Sequence, residues 1–233
     1  LPVTRALDRA GIVGEYGPTH HGGFDIAYLR HIPNIVVMAP RDENEFQHML
    51  KTAVEYNGPS AVRYPRGTGC GVPIDQELKT LEIGKAELIR NGNDVAIIAL
   101  GNMVGPSMEA AKRLAEEGIS ASVVNARFVK PLDETTILAA AKKTGRIVTV
   151  EEHTLSGGFG SAVLECLDAN GVAGIKTHRI GVPDSFIEHG AQQVLRQKYG
   201  LDADGIYTSV REFIERTRLK AVTPVTQIRA MDV

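Results

Sequence analysis

Asn34-Ile35-Val36-Val37-Met38-Ala39 and Ser60-Ala61-Val62-Arg63-Tyr64 are two short apolar runs, and between them Asp42-Glu43-Asn44-Glu45-Phe46-Gln47-His48-Met49-Leu50-Lys51-Thr52-Ala53-Val54-Glu55-Tyr56 follows a different period. The runs have the length and β-branched content of buried strands. The intervening segment predicts a helix. Asp42 is placed to cap it, Glu45 stands three residues on as in a capping box, and Phe46, Met49, Leu50 and Ala53 recur at helical spacing. Strand, helix, strand implies a parallel sheet with right-handed crossovers, and so an α/β fold.

Upstream, residues 2 to 8 give a further strand. Three strands make a poor sheet, and a parallel sheet is covered on both faces. Leu1-Pro2-Val3-Thr4-Arg5-Ala6-Leu7 also reads as the middle of a fold, so the first unit, residues 1–66, is expected to be the end of a larger domain in a longer protein. Downstream, residues 67–84 are rich in Gly and Pro and predict a linker. The alternation then restarts. Strands are expected at 94–100, 120–126, 146–151 and 175–180, with an edge strand at 85–90. Helices are expected at 104–117, 133–144, 158–169, 191–199 and 207–216. Residues 85–217 thus read as a complete α/β domain, and 218–233 as a loose tail.

Composition limits the function classes. The chain has 233 residues, a formal charge of −2 and a pI near 6.4, so no net positive field attracts nucleic acid or an anionic membrane. No apolar run approaches the roughly 20 residues that cross a bilayer. Cys70 and Cys166 are far apart and form no CxxC pattern, which predicts reduced thiols and a cytoplasmic protein.

Asp8 to Asp25 is the segment richest in chemistry: Arg9, Glu15, Tyr16, His20 and His21 stand among five glycines within a connection longer than ordinary loops. In a parallel sheet, ligands collect beyond the carboxyl ends of the strands. Arg9 to Phe24, Pro40-Arg41 and Pro65-Arg66-Gly67 each follow a strand and should share that edge. Arg9 and Arg66 are candidates to bind a phosphate or carboxylate, or are surface ion-pair groups. Of His20 and His21, one should serve proton transfer and the other pack. Glu151-Glu152-His153 with Gly157-Gly158-Phe159-Gly160-Ser161 has two readings, a base beside a phosphate-binding helix start, or carboxylates that cap helices and bridge domains over close-packed glycines. There is no GxGxxG or Walker pattern. Asp184, Glu188 and His189 match no standard metal-ligand spacing, so no metal site is expected.

Asp8-Arg9-Ala10-Gly11, Gly17-Pro18-Thr19-His20, Met38-Ala39-Pro40, Asp42-Glu43-Asn44-Glu45 and Tyr64-Pro65-Arg66-Gly67 resemble the carboxyl-terminal part of the 1-deoxy-D-xylulose-5-phosphate synthases, as do Asn125-Ala126-Arg127-Phe128-Val129-Lys130-Pro131, Val150-Glu151-Glu152 and Gly181-Val182-Pro183-Asp184. The resemblance reaches to about residue 217. It implies the end of a thiamine diphosphate pyrimidine-binding domain at 1–66 and a transketolase carboxyl-terminal-type domain at 85–217. It implies an enzyme that condenses pyruvate with D-glyceraldehyde 3-phosphate, with loss of carbon dioxide, using thiamine diphosphate and Mg2+. The product feeds isoprenoid, thiamine and pyridoxal synthesis, and the complete enzyme would be a homodimer. Arg9 and Arg66 would hold the acceptor's phosphate, and His20 would act on the reacting oxygens, with Glu15, Tyr16 and His21 in the pocket. An aspartate is usual in the family where Tyr16 stands, and Glu15 is next to it here. The family's activating glutamate and its Gly-Asp-Gly metal motif are not in this sequence. No cofactor-binding residue is therefore assigned, and the chain alone should neither hold the cofactor tightly nor turn over without an amino-terminal region or second chain. Two other readings stand beside this one. One is a 2-oxoacid dehydrogenase β subunit or other transketolase-like enzyme, which would not need Arg66 for a phosphate. The other is a non-catalytic assembly module.

Overall fold

The first three strands lie side by side and run the same way, as the strand-helix-strand reading requires. In the computed structural model, which describes residues 1–219, β1 (Thr4–Leu7) and β2 (Val36–Met38) flank β3 (Ser60–Arg63) in parallel, with Ser60 level with both Thr4 and Val36. A short helix α1 (Asp25–Leu29) precedes β2, and α2 (Glu43–Glu55) makes the crossover to β3. Asp42 caps α2 by accepting the Glu45 N–H at 2.8 Å. The return bond of a capping box is displaced, because the Glu45 carboxylate accepts the N–H of Arg41, at 2.8 Å.

The second sheet has the order β4-β6-β5-β8-β9, formed by β4 (Glu87–Arg90), β5 (Val95–Ala99), β6 (Ala121–Asn125), β8 (Arg146–Thr154) and β9 (Lys176–Val182). All its pairs are parallel except the edge pair of β4 with β6. The central strand β5 is buried along its whole length because helices cover both faces: α3 (Val104–Glu116) and α7 (Ala203–Leu219) on one side, α4 (Glu134–Thr144) and α5 (Phe159–Ala169) on the other. Side chains such as Ile97 and Ile98, at 0% exposure, each contribute roughly 1.5–3 kcal/mol. A last short helix, α6 (Gln192–Lys198), sits between β9 and α7.

Four features depart from expectation. The three-residue strand β7 (Phe128–Lys130) leaves the second unit and pairs antiparallel with β2, so the first sheet has the order β1-β3-β2-β7. The two units are thereby joined through hydrogen bonds. The 67–84 linker contains no helix or strand, yet it is strapped along α2 rather than loose. The Glu43 carboxylate accepts the N–H of Cys70 and Val72, Asn44 accepts that of Asp75, His48 that of Lys79 and the Thr52 hydroxyl that of Leu81. β8 and α7 both run longer than their sequence spans. The helix α7 continues to Leu219, past the expected start of the tail at 218, and the remainder of that tail, 220–233, lies outside the described residues.

Candidate active site

Residues 8–24 leave the carboxyl end of β1 in a backbone that few side chains tolerate. Arg9 and Tyr16 have φ of 58° and 76°, left-handed values that cost a non-glycine residue energy. Two glycines admit close neighbours. A Cβ on Gly11 would stand 2.4 Å from Oε2 of Glu152, and one on Gly14 would stand 2.8 Å from the carbonyl oxygen of Gly190. Both neighbours belong to the second unit, so the loop is moulded against it.

On the outer side of this loop the structure brings four expected residues together. An Nη of Arg66, from the loop after β3, donates to Glu15 at 2.8 Å, which raises the pKa of the guanidinium and keeps it charged. The same guanidinium lies over the Tyr16 ring, 5.7 Å from its centroid. The Tyr16 ring faces His20, with centroids 5.0 Å apart and planes tilted by 34°. His20 Nδ1 meets the Thr19 hydroxyl at 2.8 Å, which leaves Nε2 for another partner. All four side chains are exposed. The cluster presents a cation with unspent donors and, next to the shared Tyr16 ring, an imidazole, groups that can bind a phosphate and exchange a proton with an oxygen. The Glu15 carboxylate, next to the position where the family's aspartate is usual, is engaged by Arg66.

Two expected residues are placed differently. Arg9 has its ion pair with the adjacent Asp8, at 3.8 Å, and makes no hydrogen bond to the cluster among the described residues. His21 is turned into the protein: its Nδ1 accepts the Val13 N–H at 3.0 Å and its Nε2 meets the Glu188 carbonyl at 3.2 Å. Both ring nitrogens are occupied, and the residue fastens the loop instead of facing a ligand. Arg66 also lines a cavity of about 320 Å³ with Tyr64, Phe46, Arg41, Asn102 and Cys70. A larger cavity of about 460 Å³ lies against β1 between Leu1, Val3, Tyr28 and Ile32; it is mostly apolar and holds none of these site residues.

The Glu151-Glu152-His153 motif follows the capping and bridging reading. Glu151 is fully buried and accepts the N–H groups of Phe159 and Gly160 at 2.6 and 2.7 Å, so the glycine-rich start of α5 is already occupied by a carboxyl group. Burial pushes its carboxyl up to about 7. Glu152 accepts from Asn102 at 2.6 Å and from Arg196 at 2.7 Å. His153 Nε2 accepts the N–H of Ile26 at 3.1 Å and so caps α1 from the other unit, while Nδ1 donates to the Thr154 carbonyl at 2.8 Å. Burial drives its pKa down to about 4, and the neutral tautomer with a proton on Nδ1 is the one these partners require. Sequence reasoning missed Asp25 and Arg63, a buried bidentate pair at 2.7 and 3.1 Å that sets the far end of the loop. Their wide separation in sequence gave no signal. Glu188 binds Lys198 and the Tyr199 hydroxyl, and these bonds, with one from the backbone, hold its carboxyl down at about 2. Among the described residues no three His, Cys, Asp or Glu side chains are grouped to hold a metal. Cys70 and Cys166 are both free.

The sequence profile of the transketolase pyrimidine-binding domain matches residues 1–70, and that of the transketolase C-terminal domain matches residues 84–206. The chain belongs to the transketolase family. Within it, the chain is 59% identical over 215 residues to 1-deoxy-D-xylulose-5-phosphate synthase 1 of Geobacter metallireducens, a match covering 92% of this chain and 34% of the relative. It is 60% identical over 220 residues to the 1-deoxy-D-xylulose-5-phosphate synthase of Heliobacterium modesticaldum, covering 94% and 34%. This transketolase-family chain thus spans about a third of the length of the curated relatives it matches. Among solved structures, it superposes with a TM-score of 0.80 on a split-gene transketolase described as an inactive β4 tetramer, at 35% identity, covering 91% of this chain and 67% of that one. A transketolase variant from Pichia stipitis, at 21% identity and a TM-score of 0.71 over 93% of this chain and 30% of that one, shares the fold. No helix among the described residues is long and apolar enough to cross a membrane.

Proposed function

We propose that this chain supplies the acceptor side of a 1-deoxy-D-xylulose-5-phosphate synthase site, in which pyruvate and D-glyceraldehyde 3-phosphate condense with loss of carbon dioxide. The observation that carries the reading is the Arg66–Glu15–Tyr16–His20 cluster at the carboxyl edge of a parallel sheet, in a chain about 60% identical to synthases of that name. Arg66 binds the acceptor's phosphate, and a phosphate oxygen competes with Glu15 for the guanidinium. Arg9, on the same edge, swings from Asp8 to complete the phosphate site. His20 donates a hydrogen bond or proton to the acceptor's aldehyde oxygen as the carbon–carbon bond forms. Much of the rate in such a step comes from holding the reactants in place, which a guanidinium grip on the phosphate provides.

Thiamine diphosphate supplies the acyl carbanion equivalent when bound. The donors for its metal–diphosphate end are not assigned to this chain, since Glu151 fills the glycine-rich start of α5. Those donors, and Mg2+, belong in this reading to other segments or a second chain. The working assembly is a cytoplasmic homodimer of the complete enzyme.

The test is a graft of this chain in place of the matching third of the Geobacter metallireducens relative, assayed with pyruvate and glyceraldehyde 3-phosphate. Arg66→Ala should raise KM for the phosphorylated acceptor by about 100-fold, the scale expected for charge-assisted hydrogen bonds, with KM for pyruvate unchanged. His20→Ala should lower kcat by at least about 100-fold, as loss of a proton-transfer group does. Parent-like kinetics in both variants would remove the assignment.

A further inference from the structure

We infer that Gln192, the first residue of α6 in the second unit, is a positioning residue that sets the distance between the two acceptor-binding loops. Its Nε2 donates to the Ile12 carbonyl at 2.5 Å and to the Arg66 carbonyl at 3.3 Å. One amide nitrogen therefore ties the loop that carries Glu15, Tyr16 and His20 to the loop that carries Arg66. Both partners are carbonyl oxygens, so only the nitrogen end of the side-chain amide can face them, and its two hydrogens match the two acceptors.

The support behind Gln192 is stiff. Leu195 of the same helix is 2% exposed in the core, and Arg196 is paired through Nε and Nη2 with the buried Glu152, at 2.7 and 3.3 Å. Just before it, the Gly190 N–H meets the Gly14 carbonyl at 3.3 Å, and the Glu188 carbonyl meets His21. A side chain with one job on such a base transmits its own geometry to the guanidinium of Arg66 rather than following it.

The inference rests on the acceptor-site reading above, and the test separates the two. In the grafted enzyme, Gln192→Glu keeps the shape but sets a carboxylate against two carbonyls, and Gln192→Met keeps the volume but removes the donor. Each should raise KM for glyceraldehyde 3-phosphate by about tenfold, the loss of roughly one well-placed hydrogen bond. KM for pyruvate and KM for unphosphorylated D-glyceraldehyde should stay at parent values. A general weakening of the fold would move all of these together. If Arg66→Ala raises KM for the phosphorylated acceptor while both Gln192 variants match the parent, the positioning role is wrong and the phosphate site stands. If Arg66→Ala also matches the parent, the phosphate site and the positioning role fail together.

Discussion

His153 shows how one buried side chain commits two units to each other. Its burial pushes the pKa down to about 4 from an ordinary value of 6.5, because a charged imidazole there would lose water and face Arg63. Between these values the unfolded chain binds a proton that the folded chain refuses, so stability rises with pH across that window and is lost on acidification. Glu151 works the other way. Its pKa is raised from 4.5 to about 7, so the folded state holds the extra proton and stability falls as pH rises through that range. The two slopes oppose each other between about 4.5 and 6.5, which flattens the parent's pH dependence. His153→Gln removes one of them. Its deficit against the parent should be largest at pH 7 and narrow by about 2 kcal/mol by pH 4.5, measured as urea midpoints on the chain. A deficit that stays constant across the range would show that His153 does not titrate this way. At this scale the sequence was a partial guide. Residue types and loop position pointed to Arg66, Glu15, Tyr16 and His20 together, whereas the partners of His21, Asp25 and His153 come from distant parts of the chain and leave no local pattern.

At the scale of elements, hydrophobic period found the long helices and the buried strands to within a few residues, and failed where an element is defined by something far away. α1 has no side-chain N-cap of its own, since the cap is His153. β7 is three residues long and joins the other unit's sheet, a choice that no run of Phe128-Val129-Lys130 can reveal. α7 starts before the expected 207, where Asp202 accepts the Gly205 N–H at 2.8 Å; Gly205 inside its first turn is a poor helix signal. What fixes β7 in place is Glu45. This carboxylate, 4% exposed, accepts from Asn125 at 2.9 Å, from Arg127 at 2.7 Å and from the Arg41 N–H, and Arg127 and Arg41 both continue to Glu87. The predicted capping-box glutamate is therefore a pin of the seam. Removing one partner from a buried charged network strands the others, so Glu45→Ala should cost about 3–5 kcal/mol in urea unfolding. A loss below about 1 kcal/mol, the value of a surface pair, would mean that the seam is held elsewhere.

Across the whole molecule, the Arg66–Glu15–Tyr16–His20 cluster owes its shape to both α/β units. The first unit contributes the loops and their side chains. The second contributes Glu152 behind Gly11, Gly190 behind Gly14, the Glu188 carbonyl on His21 and Gln192 across both loops. The seam explains why neither unit's sequence alone shows how its residues are used: α/β alternation predicts two sheets, but their mutual contacts are long-range. It also makes a functional demand. If the proposed function holds, the site should discriminate against the same aldehyde without its phosphate, because the charge-assisted bonds from Arg66 to the phosphate would be missing and Arg66 would stay paired with Glu15. The measurement that bears most directly on this is the ratio of kcat/KM for D-glyceraldehyde 3-phosphate to that for D-glyceraldehyde, with pyruvate as donor, in the enzyme that carries this chain in place of the matching third of its Geobacter relative. Product formation is expected with a preference of at least about 100-fold for the phosphorylated acceptor, collapsing toward parity in Arg66→Ala. A folded graft that uses both aldehydes equally well, or whose preference survives the loss of Arg66, would contradict it.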